Sequence, residues 1–147
     1  MPIDLAKAAR DNDIRYFLIS FVDLFGVLRA KLVPASAINQ MQRDGAGFAG
    51  FAAWLDMTPA DSDMFAVPDP ESLIQLPWKP EVAWLAGDLY MDGQEVAASP
   101  RGTLKRLVAA AETLGYRMKS GVECEYFLTS PEGTAISDPL DRQPKPC

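Results

Sequence analysis

The stretch Arg15-Tyr16-Phe17-Leu18-Ile19-Ser20-Phe21-Val22-Asp23-Leu24-Phe25-Gly26-Val27-Leu28-Arg29-Ala30-Lys31-Leu32-Val33-Pro34 decides the fold. Arg15–Val22 is rich in aromatic and β-branched residues and reads as a strand. Asp23-Leu24-Phe25-Gly26 is a turn signal, with Gly26 free to take a positive φ. Leu28–Val33 alternates, so Leu28, Ala30 and Leu32 face one way and Arg29 and Lys31 the other. Two strands about a short turn make a hairpin, and Pro34 ends the second.

Working outward, Ile3–Asp11 reads as a short helix with Leu5, Ala8 and Ala9 on one side. Ser36–Arg43 reads as a second helix closed by Gly45. Gly45–Pro70 is punctuated by Gly and Pro, yet it carries Phe48, Phe51, Trp54 and Phe65. It is too apolar for a free linker and reads as a long ordered loop, a kind of segment that is more often functional than accidental. Ser72–Leu76 and Ala83–Tyr90 are strand candidates, and Asp92-Gly93 supports a hairpin turn after the latter. Ser99 caps a helix that Pro100 opens. Leu104, Leu107, Val108, Ala111 and Leu114 recur along it at helical spacing, and Gly115 closes it. A domain boundary falls just before this helix, giving residues 1–97 and 98–147. The first part is a helix–hairpin–helix–strands unit, an α+β layout with one mixed sheet.

Composition narrows the function. Of 147 residues, 48% are hydrophobic and 23% charged, which suits a packed globular core. The net charge is −6, which speaks against nucleic acid or an anionic membrane as the main partner. The acids concentrate between Phe48 and Pro100, where Lys79 is the single basic residue. There is no His, so imidazole catalysis and His metal ligands are excluded within this chain. Cys124 and Cys147 make no disulfide framework, and the composition reads as cytoplasmic. Met1–Arg10 lacks the apolar centre of a signal peptide, and no apolar stretch is long enough to span a bilayer. The ending Gln143-Pro144-Lys145-Pro146-Cys147 follows a turn-rich stretch and reads as a point inside a longer protein.

Two segments could carry chemistry. Gly121-Val122-Glu123-Cys124-Glu125-Tyr126-Phe127-Leu128 reads as a strand with Glu123 and Glu125 on one face, their backbones about 6–7 Å apart. Paired carboxylates on a rigid strand suit hard divalent cations such as Mg²⁺ or Mn²⁺. They also suit the solvated face of an amphipathic strand. Cys124, on the apolar face, reads as a buried, inert thiol. In the Gly45–Asp63 segment, Asp56, Asp61 and Asp63 could meet a cation or an amine, or serve as caps and turns. No P-loop, dinucleotide fingerprint or Cys-based zinc spacing is present.

Taken in order, these features resemble the glutamine synthetase family. They are the hairpin from Asp13-Ile14-Arg15-Tyr16 to Asp23-Leu24-Phe25-Gly26, then Arg29-Ala30-Lys31, Val33-Pro34 and Gly47-Phe48-Ala49-Gly50-Phe51. Ser62-Asp63-Met64, Val67-Pro68-Asp69 and Ser99-Pro100-Arg101 follow. The last, Gly121–Phe127, resembles that family's Gly-x-Glu-x-Glu-Phe-Phe metal strand. The series looks closest to the branch holding type III-like glutamine synthetases and γ-glutamylmethylamide synthetase. The resemblance implies an N-terminal β-grasp domain followed by the first helix and strand of a larger catalytic domain. It implies a ligase that uses ATP as a substrate to phosphorylate the γ-carboxylate of glutamate, after which ammonia or methylamine displaces phosphate. It further implies Mg²⁺ or Mn²⁺ held in part by Glu123 and Glu125, Gly121 near the nucleotide, and homo-oligomeric rings in which this domain completes a neighbour's site.

The chain also departs from the family pattern. Many members read Phe-Asp-Gly-Ser-Ser where this chain has Phe48-Ala49-Gly50-Phe51-Ala52, and the Asp of that motif handles ammonium. Ala49 implies a less polar amine site, with Asp56 or Asp63 able to compensate. The family's remaining metal and phosphate ligands lie beyond Cys147, so the 147 residues alone are expected to have no ligase activity. The alternative is a non-catalytic binding or assembly module of the same ancestry.

Overall fold

The structure, a computed structural model, describes residues 3–53 and 57–134. Two short helices, α1 (Leu5–Asp11) and α2 (Ile38–Asp44), flank the hairpin of β1 (Tyr16–Val22) and β2 (Leu28–Pro34). A 3₁₀ turn at Ala35–Ala37 leads into α2. Then come β3 (Ala46–Phe48), β4 (Met64–Pro68), β5 (Ile74–Gln75), β6 (Val82–Met91), β7 (Gln94–Glu95) and α3 (Pro100–Thr113). The strands form one mixed sheet in the order β2-β1-β6-β4-β3, with β5 and β7 also paired to β6. Among the described residues only β1 and β6 run parallel. This is the α+β class expected from the sequence.

Alternation along β1 builds the core. Phe17, Ile19 and Phe21 point inward and are buried with Ala83, Leu85 and Leu89 of β6, Met64 and Ala66 of β4, and Leu5, Ala9 and Ile38 of the helices. The helices therefore cover this inner face. Each starts or stops where local chemistry dictates. The Asp4 carboxylate accepts from Lys7 N–H at 2.8 Å to open α1. Gly45, at φ 77° and ψ 167°, closes α2 in a region open essentially to glycine alone. The Ser99 hydroxyl accepts from Gly102 N–H at 3.0 Å to open α3. Asp92 and Gly93 both hold positive φ, as the tight turn between β6 and β7 requires.

Three expectations change and one is completed. First, the alternation of β2 holds, and register decides which side lies inward, the polar one. Arg29 pairs with Phe21 and Lys31 with Ile19, while Leu28 and Leu32 lie on the outer face, 51% and 54% exposed. Second, Gly45–Pro70 is not one loop. It holds β3, a 3₁₀ turn at Gly50–Ala53, and β4, because Ala46–Phe48 finds Met64–Ala66 as an antiparallel partner. Third, the strand candidate at Ser72–Leu76 shrinks to Ile74–Gln75, since Pro70–Ser72 turns under an Asp69 cap. Fourth, Gly121–Leu128 forms no strand. Its residues are exposed and pair with no neighbouring ladder, and a strand exists only by pairing. Cys124 is accordingly exposed rather than buried. The apolar stripe of α3 is similarly bare, with Leu107 63% exposed. Among the described residues no helix is long and apolar enough to cross a membrane.

Candidate functional site

The β1–β2 turn is built on the carboxylate of Asp23, the first residue of the turn signal Asp23-Leu24-Phe25-Gly26. Asp23 is buried, 1% exposed. Its Oδ1 accepts from Phe25 N–H and Val27 N–H, each at 2.9 Å. Its Oδ2 accepts from Arg29 Nε and Nη2, both at 2.8 Å. Burial acts to raise the Asp23 pKa. The Val27 N–H, the Arg29 guanidinium and the Phe25 N–H together outweigh it and hold the carboxyl below its ordinary 3.8. The readable signal was an acid at the turn's start and an arginine six residues on, facing it across the hairpin.

A second charged cluster fixes α3 to the sheet. Arg101 Nε donates to Asp88 Oδ1 at 2.9 Å, its Nη2 pairs with Asp69, and Lys105 Nζ reaches Asp88 Oδ2 at 2.7 Å. Asp69 directly follows β4, and Asp88 lies on β6. The Ser99-Pro100-Arg101 and Val67-Pro68-Asp69 motifs are thus two halves of one contact.

The Gly47–Phe51 segment lies where the sheet's edges approach. β2 and β3 are opposite ends of the strand order. Even so, Lys31 of β2 donates to the Gly47 carbonyl of β3. Its ammonium lies 5.2 Å from the centroid of the Phe48 ring. The Phe48 ring meets Phe21 of β1 edge to face, with centroids 4.9 Å apart. The sheet has curled almost into a barrel. Beyond Phe48, Gly50 is buried, and a Cβ there would stand 2.3 Å from Met57 Sδ and 3.5 Å from Met64 Cγ. Ala49 is therefore half-buried between Phe48 and the buried Gly50.

The other expected site residues are dispersed. Asp61 is a turn cap, accepting from Thr58 N–H at 2.6 Å and Thr58 Oγ1 at 2.9 Å. Those two bonds, the backbone one foremost, lower its pKa. Asp63 is exposed at the start of β4. Asp56 lies outside the described residues. Glu123 and Glu125 are exposed on the unpaired segment, and Gly121 has open space around it. Among the described residues no three acidic or sulfur ligands gather as a metal site. A hard cation takes about six oxygen ligands, so Glu123 and Glu125 supply at most part of a donor set.

No family model matches the chain. Glutamine synthetase of Rhizobium leguminosarum bv. phaseoli is 61% identical over 147 residues, all of this chain and 34% of that protein. Glutamate–methylamine ligase of Methyloversatilis universalis is 36% identical over 150 residues, 99% of this chain and 34% of that protein. Among solved structures, a complex of GmaS with ADP superposes with a TM-score of 0.88 at 61% identity, covering 95% of this chain and 33% of that one. The chain thus spans about a third of the length of the relatives it matches. The curled mixed sheet with its helices on one face is the β-grasp fold of the family's N-terminal domain. Whole-chain identity and the matching fold agree, and the chain belongs to the glutamine synthetase family.

Proposed function

We propose that this chain is part of an ATP-dependent ligase that joins the γ-carboxyl of glutamate to ammonia or a small alkylamine, with methylamine the better acceptor. The observation that carries the acceptor choice is Ala49, an apolar methyl held in place between Phe48 and the buried Gly50. Similarity to a glutamate–methylamine ligase supports the same choice. In this reading ATP transfers its γ-phosphoryl group to the glutamate carboxylate. The amine nitrogen then attacks the activated carbonyl carbon, phosphate leaves, and the nitrogen gives up a proton. An apolar wall at Ala49 stabilises the methyl group of the acceptor and offers no carboxylate to an ammonium ion. Glu123 and Glu125 would contribute oxygen ligands to Mg²⁺ or Mn²⁺, which would neutralise phosphate charge. The bare outer face at Leu28, Leu32 and Ile74, together with the bare stripe of α3, supports burial against further protein, including ring assembly.

The test uses an enzyme made by joining this chain to the other two-thirds, roughly, of the Rhizobium leguminosarum relative. Ala49→Asp should move the methylamine-to-ammonia ratio of kcat/KM about tenfold toward ammonia, the scale of one partly screened charge pair. An unchanged ratio contradicts the assignment of the amine site.

A further inference from the structure

We infer that Lys31 is a positioning residue for the amine site, acting from the opposite edge of the sheet. The inference rests on the reading of Ala49 above and adds a residue on a different strand. β3 is only three residues long and, among the described residues, pairs with β4 alone, so no second ladder there fixes its outer side. Lys31 takes that place. Its ammonium donates to the Gly47 carbonyl and lies over the Phe48 ring, so it holds the two residues directly before Ala49. Phe21 braces the same ring edge-on. The register explains why a lysine can do this: Lys31 pairs with Ile19 and so projects to the inner side of the curl, where the far edge comes round. A cation over an aromatic face, combined with a charge-assisted bond to a carbonyl, restrains both the ring and the backbone. Ala49 then inherits a fixed position from a residue on the opposite edge of the sheet.

Two variants separate charge from bulk. Lys31→Met keeps the stem and removes the ammonium; Lys31→Arg keeps a cation able to stack and donate. The first readout is amide hydrogen exchange in the chain itself. Lys31→Met should raise exchange at Gly47–Gly50 about three- to tenfold and leave β1 and β6 unchanged, with Lys31→Arg near the parent. Equal exchange in Lys31→Met and parent overturns the inference. The second readout is the steady-state kinetics of the joined enzyme. Lys31→Met should raise KM for methylamine about three- to tenfold, with KM for ATP unchanged and kcat within about twofold, and Lys31→Arg should restore it. Unchanged amine KM, or equal losses for every substrate, also overturns it. A parent enzyme that turns over no amine refutes the functional reading instead, and the exchange result still decides the contact.

Discussion

Gly45→Ala is the sharpest probe of how this sheet presents its far edge. Gly45 joins α2 to β3 at φ 77° and ψ 167°. A side chain in that region carries strain of about 1–3 kcal/mol. Space adds a second penalty. A Cβ at Gly45 would stand 2.8 Å from Phe65 Cβ, 3.2 Å from the Phe65 carbonyl carbon and 3.3 Å from that of Ala66. Those atoms belong to β4 and to its backbone, so no flexible side-chain end can swing away. Overpacking of this sort costs about 1–3 kcal/mol. The combined loss is about 2–6 kcal/mol, a large share of the roughly 5–15 kcal/mol by which such domains are stable. For a chain of this size that lowers Tm by roughly 6–18 °C. Gly93→Ala is the matched control. Gly93 has φ 74° but open space around its Cα, so it bears only the left-handed strain, about 1 kcal/mol and roughly 3 °C. Thermal and urea unfolding followed by circular dichroism measures both. If Gly45→Ala loses no more than Gly93→Ala, the close packing of α2 on β4 is wrong.

The charged contacts give further expectations. The Asp23 pKa is lower folded than unfolded, so its contribution to stability is complete above the unfolded value near 4 and is lost as pH falls through the folded one. Urea midpoints taken from pH 6 down to 2 should therefore fall less steeply below about pH 4 in Asp23→Asn than in the parent; parallel curves would refute the assignment. Arg101→Met leaves Asp69 and Asp88 without their shared cation and should cost about 1–2 kcal/mol, discounted because the side chains are partly exposed. A midpoint unchanged within error would show that α3 is held by other contacts. Cys124 is exposed and should react with a thiol reagent in the native chain at the rate of an open thiol, whereas protection until unfolding would place it in a packed strand.

What the residues disclosed in advance depended on whether a signal was local. The β1–β2 hairpin was legible because alternation, a turn acid and a glycine stand side by side. The cap at Ser99-Pro100 was legible for the same reason. The orientation of β2 was not, because alternation marks two faces and only the register with β1 decides which one looks inward. β3 was hidden because three residues carry no period of their own, and their partner β4 lies sixteen positions beyond. The strand expected at Gly121–Leu128 failed for the complementary reason: its pattern is amphipathic, but nothing among the described residues pairs with it. In the same way the sequence located Ala49 as a departure from the family pattern, whereas Lys31 and Phe21 emerged as its supports only when the sheet curled and brought its edges together.

Glu123 and Glu125 offer the most direct measurement of the account, because exposed and unpaired side chains cannot alter the stability of this chain. Glu123→Gln and Glu125→Gln should leave its Tm within about 1 °C, as surface changes do. In the joined enzyme each should lower glutamate- and methylamine-dependent phosphate release by about a hundredfold, the scale of losing an electrostatic ligand at a phosphoryl-transfer centre. Undiminished turnover with both carboxylates replaced would contradict the ligase assignment of this segment.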